Sequence, residues 1–186
     1  VSAAQAKKMA AAATPWQIPA RTRAEILHRA ADLFEVQSEE FFALLTHEAG
    51  KTLADCIGEL REVVDFLRYY AREAETHGGG SDGVFTCISP WNFPLAIFTG
   101  QIAAALAMGN AVLAKPAEAT SMIAVHAVAL MHQAGVPKPC LQLVPGEGAV
   151  LGPVLCSAPN ICGVCFTGST ATAQSINRVM AENLPP

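Results

Sequence analysis

The feature that most constrains this chain is the uneven placement of its charges. Residues 1–77 carry 9 of the 12 basic and 12 of the 16 acidic side chains. Residues 78–186 carry only Asp82, Lys115, Glu118, Lys138, Glu147, Arg178 and Glu182. Seven charges rarely solvate the surface of so long a stretch. The second part is expected to be a heavily buried α/β sheet, or a unit covered by something absent from the chain.

Its hydrophobic pattern agrees with a sheet. Short apolar runs at Val84–Ile88, Ala111–Ala114, Leu141–Val144 and Ile161–Phe166 alternate with helical stretches at Leu95–Met108, Ser121–Gln133, Ala149–Leu155 and Thr170–Glu182. Gly109 and Gly135 stand where helix C-terminal caps belong. The runs are apolar on both faces, as in parallel strands covered by helices. The fold class expected is α/β: a doubly wound, mostly parallel Rossmann-like sheet over residues 84–186, preceded by a helical segment over 1–77.

In that segment Thr22 and Glu25 read as a capping box, followed by Ile26, Leu27, Ala30, Leu33 and Phe34 at helical spacing. Ser38 reads as the cap of a second helix that Gly50 stops, and Thr52 with Asp55 opens a third. There Ile57, Leu60, Val64, Leu67 and Ala71 mark an apolar stripe, which Gly78 ends. Ala10–Ala13 is an alanine-rich tract, and Gly78–Gly83 (GGGSDG) reads as a flexible connector.

Composition narrows the function. The chain is 52% apolar with a net charge of −4, so a nucleic-acid footprint is not expected. No apolar run reaches the ~18 residues of a membrane span, and no secretory signal opens the chain. A cytoplasmic protein with reduced thiols is expected. The start at Val1 suggests a cut-out piece or a processed protein. Cys162 and Cys165 form a C-x-x-C, but on a strand residues three apart point to opposite faces. His126 and His132 are six apart rather than the four that aligns two ligands on a helix. No metal site is expected.

Ligands of such sheets bind beyond the carboxyl ends of the strands. Those ends carry Ser89-Pro90-Trp91-Asn92-Phe93-Pro94, Lys115-Pro116-Ala117-Glu118, Pro145-Gly146-Glu147-Gly148 and Thr167-Gly168-Ser169-Thr170. A carboxylate after the second strand suits ribose hydroxyls. Gly168 and Ser169 open a helix whose free N–H groups suit a phosphate. The G-x-G-x-x-G pattern is missing after the first strand; Gly146, Gly148 and Gly152 have another spacing and read as a turn.

The motifs ISPWNFP, GNAVLAKPAE and FTGST, in this order and spacing, resemble the cofactor domain of the aldehyde dehydrogenase superfamily. EAGKTLADCIGELREVVDFLRYYA resembles the helical segment before it. The longer run from Cys87 to Thr120 is similar to the glutamate-semialdehyde (pyrroline-5-carboxylate) dehydrogenase part of bifunctional proline utilisation proteins. Gln101 stands where most of the superfamily has lysine, as in that group.

The resemblance implies roles position by position. Asn92 matches the oxyanion-hole asparagine, and Lys115 and Glu118 match the pair that holds the adenosine ribose of NAD. Gly168 and Ser169 match the pyrophosphate contact; Ala173 stands where the family has glycine. Ile88, Ser89, Pro90 and Trp91 match the cofactor channel, Gly148 joins the cofactor positions, and Phe93 borders the aldehyde site. Neither the G-Q-x-C segment of the family's nucleophile nor the E-x-G-G segment of its general base occurs. The chain alone is therefore expected to be inactive, the parent being an NAD-dependent, oligomeric enzyme for a small aldehyde. The alternatives are a catalytically inactive cofactor-binding fragment, or part of another aldehyde dehydrogenase such as a succinic semialdehyde type. Gly78–Gly83 is implied to replace oligomerisation strands and Pro186 to mark an artificial end. With the fifth strand missing, the open sheet edge is expected to promote non-native self-association.

Overall fold

Four short apolar segments pair side by side because each sends alternate side chains into a different helical layer. In the computed structural model, which describes residues 1–183, they are β1 (Val84–Ile88), β2 (Ala111–Lys115), β3 (Leu141–Leu143) and β4 (Ile161–Phe166). All pairings are parallel, in the order β3-β2-β1-β4. The helices are α1 (Ala3–Ala12), α2 (Ala20–Val36), α3 (Ser38–Ala49), α4 (Leu53–His77), α5 (Ala96–Ala107), α6 (Ser121–Ala134), α7 (Gly148–Ser157) and α8 (Thr170–Asn183). This is the α/β parallel sheet that the alternation predicts, with β1 and β4 bounded as expected. Pro186 lies outside the described residues.

The period of two along the strands explains the two layers. Phe85, Cys87, Val112, Ala114, Leu141, Leu143 and Cys165 join the core made by α2 to α6. Val84, Ala111, Leu113 and Val144 instead meet α1 and α7, while Ile88, Val164 and Phe166 meet α8. The charge-poor part thus has much of one face covered by the chain's own charged third. β4, an edge strand among the described residues, is only partly covered. No described helix is long and apolar enough to cross a membrane.

The N-terminal helices differ from their sequence reading in detail. Pro19 occupies the N-cap position of α2 without a side-chain bond, so Thr22 falls inside the helix and no Thr22–Glu25 box forms; Arg21 and Glu25 pair instead. Gln37 both ends α2 and precedes α3, which makes Ser38 the first helical residue rather than a cap. Thr52 does cap α4, its hydroxyl accepting from the Asp55 amide. Ile57 points outward, 42% exposed, and the buried face of α4 runs through Cys56, Glu59, Leu60, Val63, Val64, Leu67, Ala71 and Ala74. The alanine-rich tract is the end of α1, which a Ser2–Gln5 capping box starts and whose Ala6 and Ala10 pack against α7. Ser-x-x-Gln was the legible signal there.

The expected flexible connector is held in place. Asn110 Oδ1 accepts from the Ser81 hydroxyl and from the Asp82 and Gly83 amides. Arg23, buried and without a carboxylate partner among the described residues, donates to the carbonyls of Ile18, Gly79 and Ala107. It ties the first loop, the connector and the C-terminus of α5 together, and its charge suits the negative end of that helix. Gly100 lets α4 approach α5, since a Cβ there would stand 2.9 Å from Phe66 Cδ2. The six cysteines are free thiols. Cys162 is exposed with its thiol on the Asp82 carbonyl, whereas Cys165 packs on the helical core.

Arg23→Met leaves three carbonyls without this donor. It is expected to lower the unfolding free energy by about 2–4 kcal/mol, read by urea denaturation. Arg23→Lys is expected to recover less than half, because one ammonium cannot reproduce the planar fork.

Candidate cofactor site at the carboxyl ends of the strands

The strand order decides where a site can form. From β1 the chain moves outward through β2 to β3, then α7 carries it back to β4 on the other side of β1. The reversal opens a crevice beyond the carboxyl ends of β1 and β4. A cleft of about 610 Å³ lies there, lined by Ile88, Lys115, the α7 residues Gly148, Ala149, Gly152, Pro153 and Cys156, and the α8 residues Ala171, Thr172, Ser175, Ile176 and Val179.

Lys115 ends β2 and is buried, its Nζ donating to the Pro116 carbonyl at 3.1 Å. Burial pushes this ammonium below the ordinary lysine range, and the nearby Glu118 carboxylate pulls the other way. An ammonium has three donors, so two remain beyond the Pro116 bond. Glu118 opens the 3-10 turn Glu118–Thr120, and its Oε1 accepts from the Gly148 amide at 2.6 Å. That bond caps α7, which has no side-chain cap of its own. A Cβ at Gly148 would stand 3.6 Å from Glu118 Oε1 and 3.7 Å from Lys115 Nζ, so glycine keeps this corner open.

Ser169 caps α8: its Oγ accepts from the Thr172 amide at 3.2 Å, and its carbonyl accepts from the Ala173 amide. Gly168 and Ser169 are exposed beside Ala171 and Thr172, which belong to the cleft wall. The Ser89 amide donates to the Lys115 carbonyl, joining the ends of β1 and β2, while its buried Oγ has no partner among the described residues.

Ile88, Lys115 and Gly148 therefore line one crevice, and Glu118 and Ser169 adjoin it through their bonds to the Gly148 and Thr172 amides. Trp91, Asn92 and Phe93 form a separate exposed turn between β1 and α5, outside the cleft lining. Trp91 is 64% exposed, and Pro90 before it is half-buried. Gln101, on α5, donates to Thr167 Oγ1 at 3.1 Å, which ties that helix to the loop before α8. Apart from Gly148, sequence reasoning missed the α7 and α8 walls, whose residues are small or aliphatic and carry no motif. It also missed Lys51 and Glu59. The signal for Glu59 was an acid within the buried stripe of α4, which requires a partner.

Among the described residues no cluster of His, Cys, Asp or Glu is arranged to hold a metal ion.

The profile described as "Aldehyde dehydrogenase family" matches residues 1–186. The chain is 52% identical over 174 residues to the "Bifunctional protein PutA" of Klebsiella aerogenes, covering 90% of this chain and 13% of that protein. It is 39% identical over 185 residues to the "1-pyrroline-5-carboxylate dehydrogenase" of Anoxybacillus flavithermus, covering 90% of this chain and 36% of that one. Its fold superposes on a crystal structure of bifunctional proline utilization A (PutA) with a TM-score of 0.95 at 47% identity, over all of this chain and 21% of the other. The chain thus spans about an eighth of the PutA relatives and about a third of the 1-pyrroline-5-carboxylate dehydrogenases. The matched profile, the identities and the parallel sheet agree: the chain belongs to the aldehyde dehydrogenase family.

Proposed function

We propose that this chain is the NAD-binding part of an enzyme that oxidises L-glutamate γ-semialdehyde to glutamate in proline catabolism. Two relatives whose names refer to PutA and to 1-pyrroline-5-carboxylate dehydrogenase support the substrate class. The observation that carries the cofactor reading is the Lys115–Glu118–Gly148 corner at the mouth of the α7/α8 cleft.

The donor set fits a dinucleotide. Lys115 has donors to spare for ribose hydroxyls, and Glu118 has a second oxygen to accept from one. A carboxylate there repels a 2′-phosphate, which favours NAD over NADP. The Ser169-capped start of α8 presents backbone N–H groups and a positive dipole end to a pyrophosphate. Ile88 and the aliphatic α8 residues offer an apolar wall to a flat ring. Bound there, NAD supplies the hydride acceptor.

Asn92 has a different task. Its side-chain amide donates to the oxygen of a tetrahedral intermediate, a contribution of ~3–4 kcal/mol for one such donor. Phe93 borders the aldehyde. The thiolate that attacks the carbonyl and the carboxylate that activates water are supplied by family segments that do not occur in residues 1–186.

Two outcomes are expected. Calorimetric titration is expected to show NAD binding more tightly than NADP. Glu118→Gln keeps an acceptor for the Gly148 amide but loses the charge, and is expected to narrow the gap about tenfold. Equal affinities in the unmodified chain would remove the ribose assignment. The purified chain is also expected to form no NADH from glutamate semialdehyde. A burst of NADH stoichiometric with the chain would show that it holds its own nucleophile.

A further inference from the structure

We propose that Lys51 and Glu59 are positioning residues for the turn that bears Asn92, an inference that rests on reading Asn92 as the oxyanion donor. Glu59 lies on the buried face of α4, and its Oε1 accepts from the amides of Leu95 and Ala96 at 2.8 and 3.1 Å. These are the first free N–H groups of α5, a helix without a side-chain cap of its own. The Lys51 ammonium lies 2.8 Å from Glu59 Oε2, and the two side chains are 12% and 1% exposed. The same ammonium sits 4.3 Å from the centre of the Phe93 ring.

One buried ion pair thus grips the turn twice. The carboxylate holds its C-terminal side through the Leu95 and Ala96 amides. The ammonium holds Phe93, which is 42% exposed and so has limited packing to fix it. Asn92 adjoins Phe93, and Pro94 between the two grips restricts the backbone further. Lys51 is itself fixed in the three-residue junction between α3 and α4. Gly50 before it adopts φ 63°, its own amide donates to the Leu45 carbonyl, and Thr52 after it caps α4. An oxyanion donor acts only when held within about 0.5 Å of its working position. Neither Lys51 nor Glu59 needs to touch substrate to matter: they set where the Asn92 amide stands.

The test uses the isotope-labelled chain and nuclear magnetic resonance. Backbone order is read at Asn92 and Phe93, and hydrogen exchange at Leu95 and Ala96. Lys51→Met is expected to loosen Asn92 and to speed exchange at Leu95 and Ala96 about tenfold, while Val112 and Leu113 stay within about twofold. Lys51→Arg, which keeps the charge, is expected to restore both. If Lys51→Met does not fold, Phe93→Leu is read instead. It removes the ring and leaves the buried pair, so Asn92 is expected to loosen while Leu95 and Ala96 keep their protection. Unchanged order and exchange in Lys51→Met overturns the proposal. So does a uniform acceleration of all amides, a failure of arginine to rescue, or an unmoved Asn92 in Phe93→Leu. None of these readouts involves cofactor or turnover. If Asn92 is no oxyanion donor, its replacement in a full-length enzyme will leave turnover intact, and the outcome is separable from these.

Discussion

Three of the four helices that follow strands in this sheet begin without a cap of their own, and each borrows a glutamate from another element. Glu59 on α4 accepts from the start of α5, Glu48 on α3 from the Met122 and Ile123 amides of α6, and Glu118 from the Gly148 amide of α7. The first amides of a helix have no internal partner, and their dipole favours a negative charge nearby. In a parallel sheet those helix starts all lie at the carboxyl ends of the strands, where ligands bind. The same carboxylates that hold the layers together therefore shape the functional end.

The arrangement makes use of very few charges. Glu118 is one of seven in residues 78–186, yet one of its oxygens closes α7 at Gly148, a residue of the cleft wall. Glu59 carries the opposite balance. It is almost wholly buried and needs Lys51 to offset the desolvation of its charge. Removing either partner would strand the other, so the pair is a matched unit rather than a surface ornament. Arg23 plays a comparable part at the opposite pole of α5, where it meets the Ala107 carbonyl. Both ends of α5, the helix after the Asn92 turn, are held by buried charges from the N-terminal third. That third serves as the clamp for the sheet unit as well as its cover.

Much of this was legible in the residues. Strands read from apolar runs agree because β1 and β2 are buried on both faces, and residues of that kind leave no other pattern. Long helices were legible from periodicity, and so were the starts of α4 at Thr52 and α8 at Ser169, but those of α2 and α3 were not. Pro19 and Gln37 took the cap positions that Thr22 and Ser38 suggested. Ile57 fell outside the buried face because Glu59, a charge, fell inside it. Sequence spacing records which residues are apolar, whereas the caps of α5, α6 and α7 depend on carboxylates 30 to 75 positions away in the chain. The cleft itself was hidden for a related reason. Its α7 and α8 walls are small or aliphatic residues with Pro153, Cys156 and Thr172 among them, and only the tertiary fold brings them opposite one another.

The crevice between α7 and α8 is the dinucleotide site proposed for this chain. The most direct measurement is a titration of NAD into the isotope-labelled chain, followed through its backbone amide resonances. Saturable shifts are expected at Gly148 and Ala149, at the start of α7, and at Ala171 and Thr172, at the start of α8. Saturation that leaves these four amides unmoved, or no binding at all by the folded chain, would contradict a dinucleotide site in this crevice.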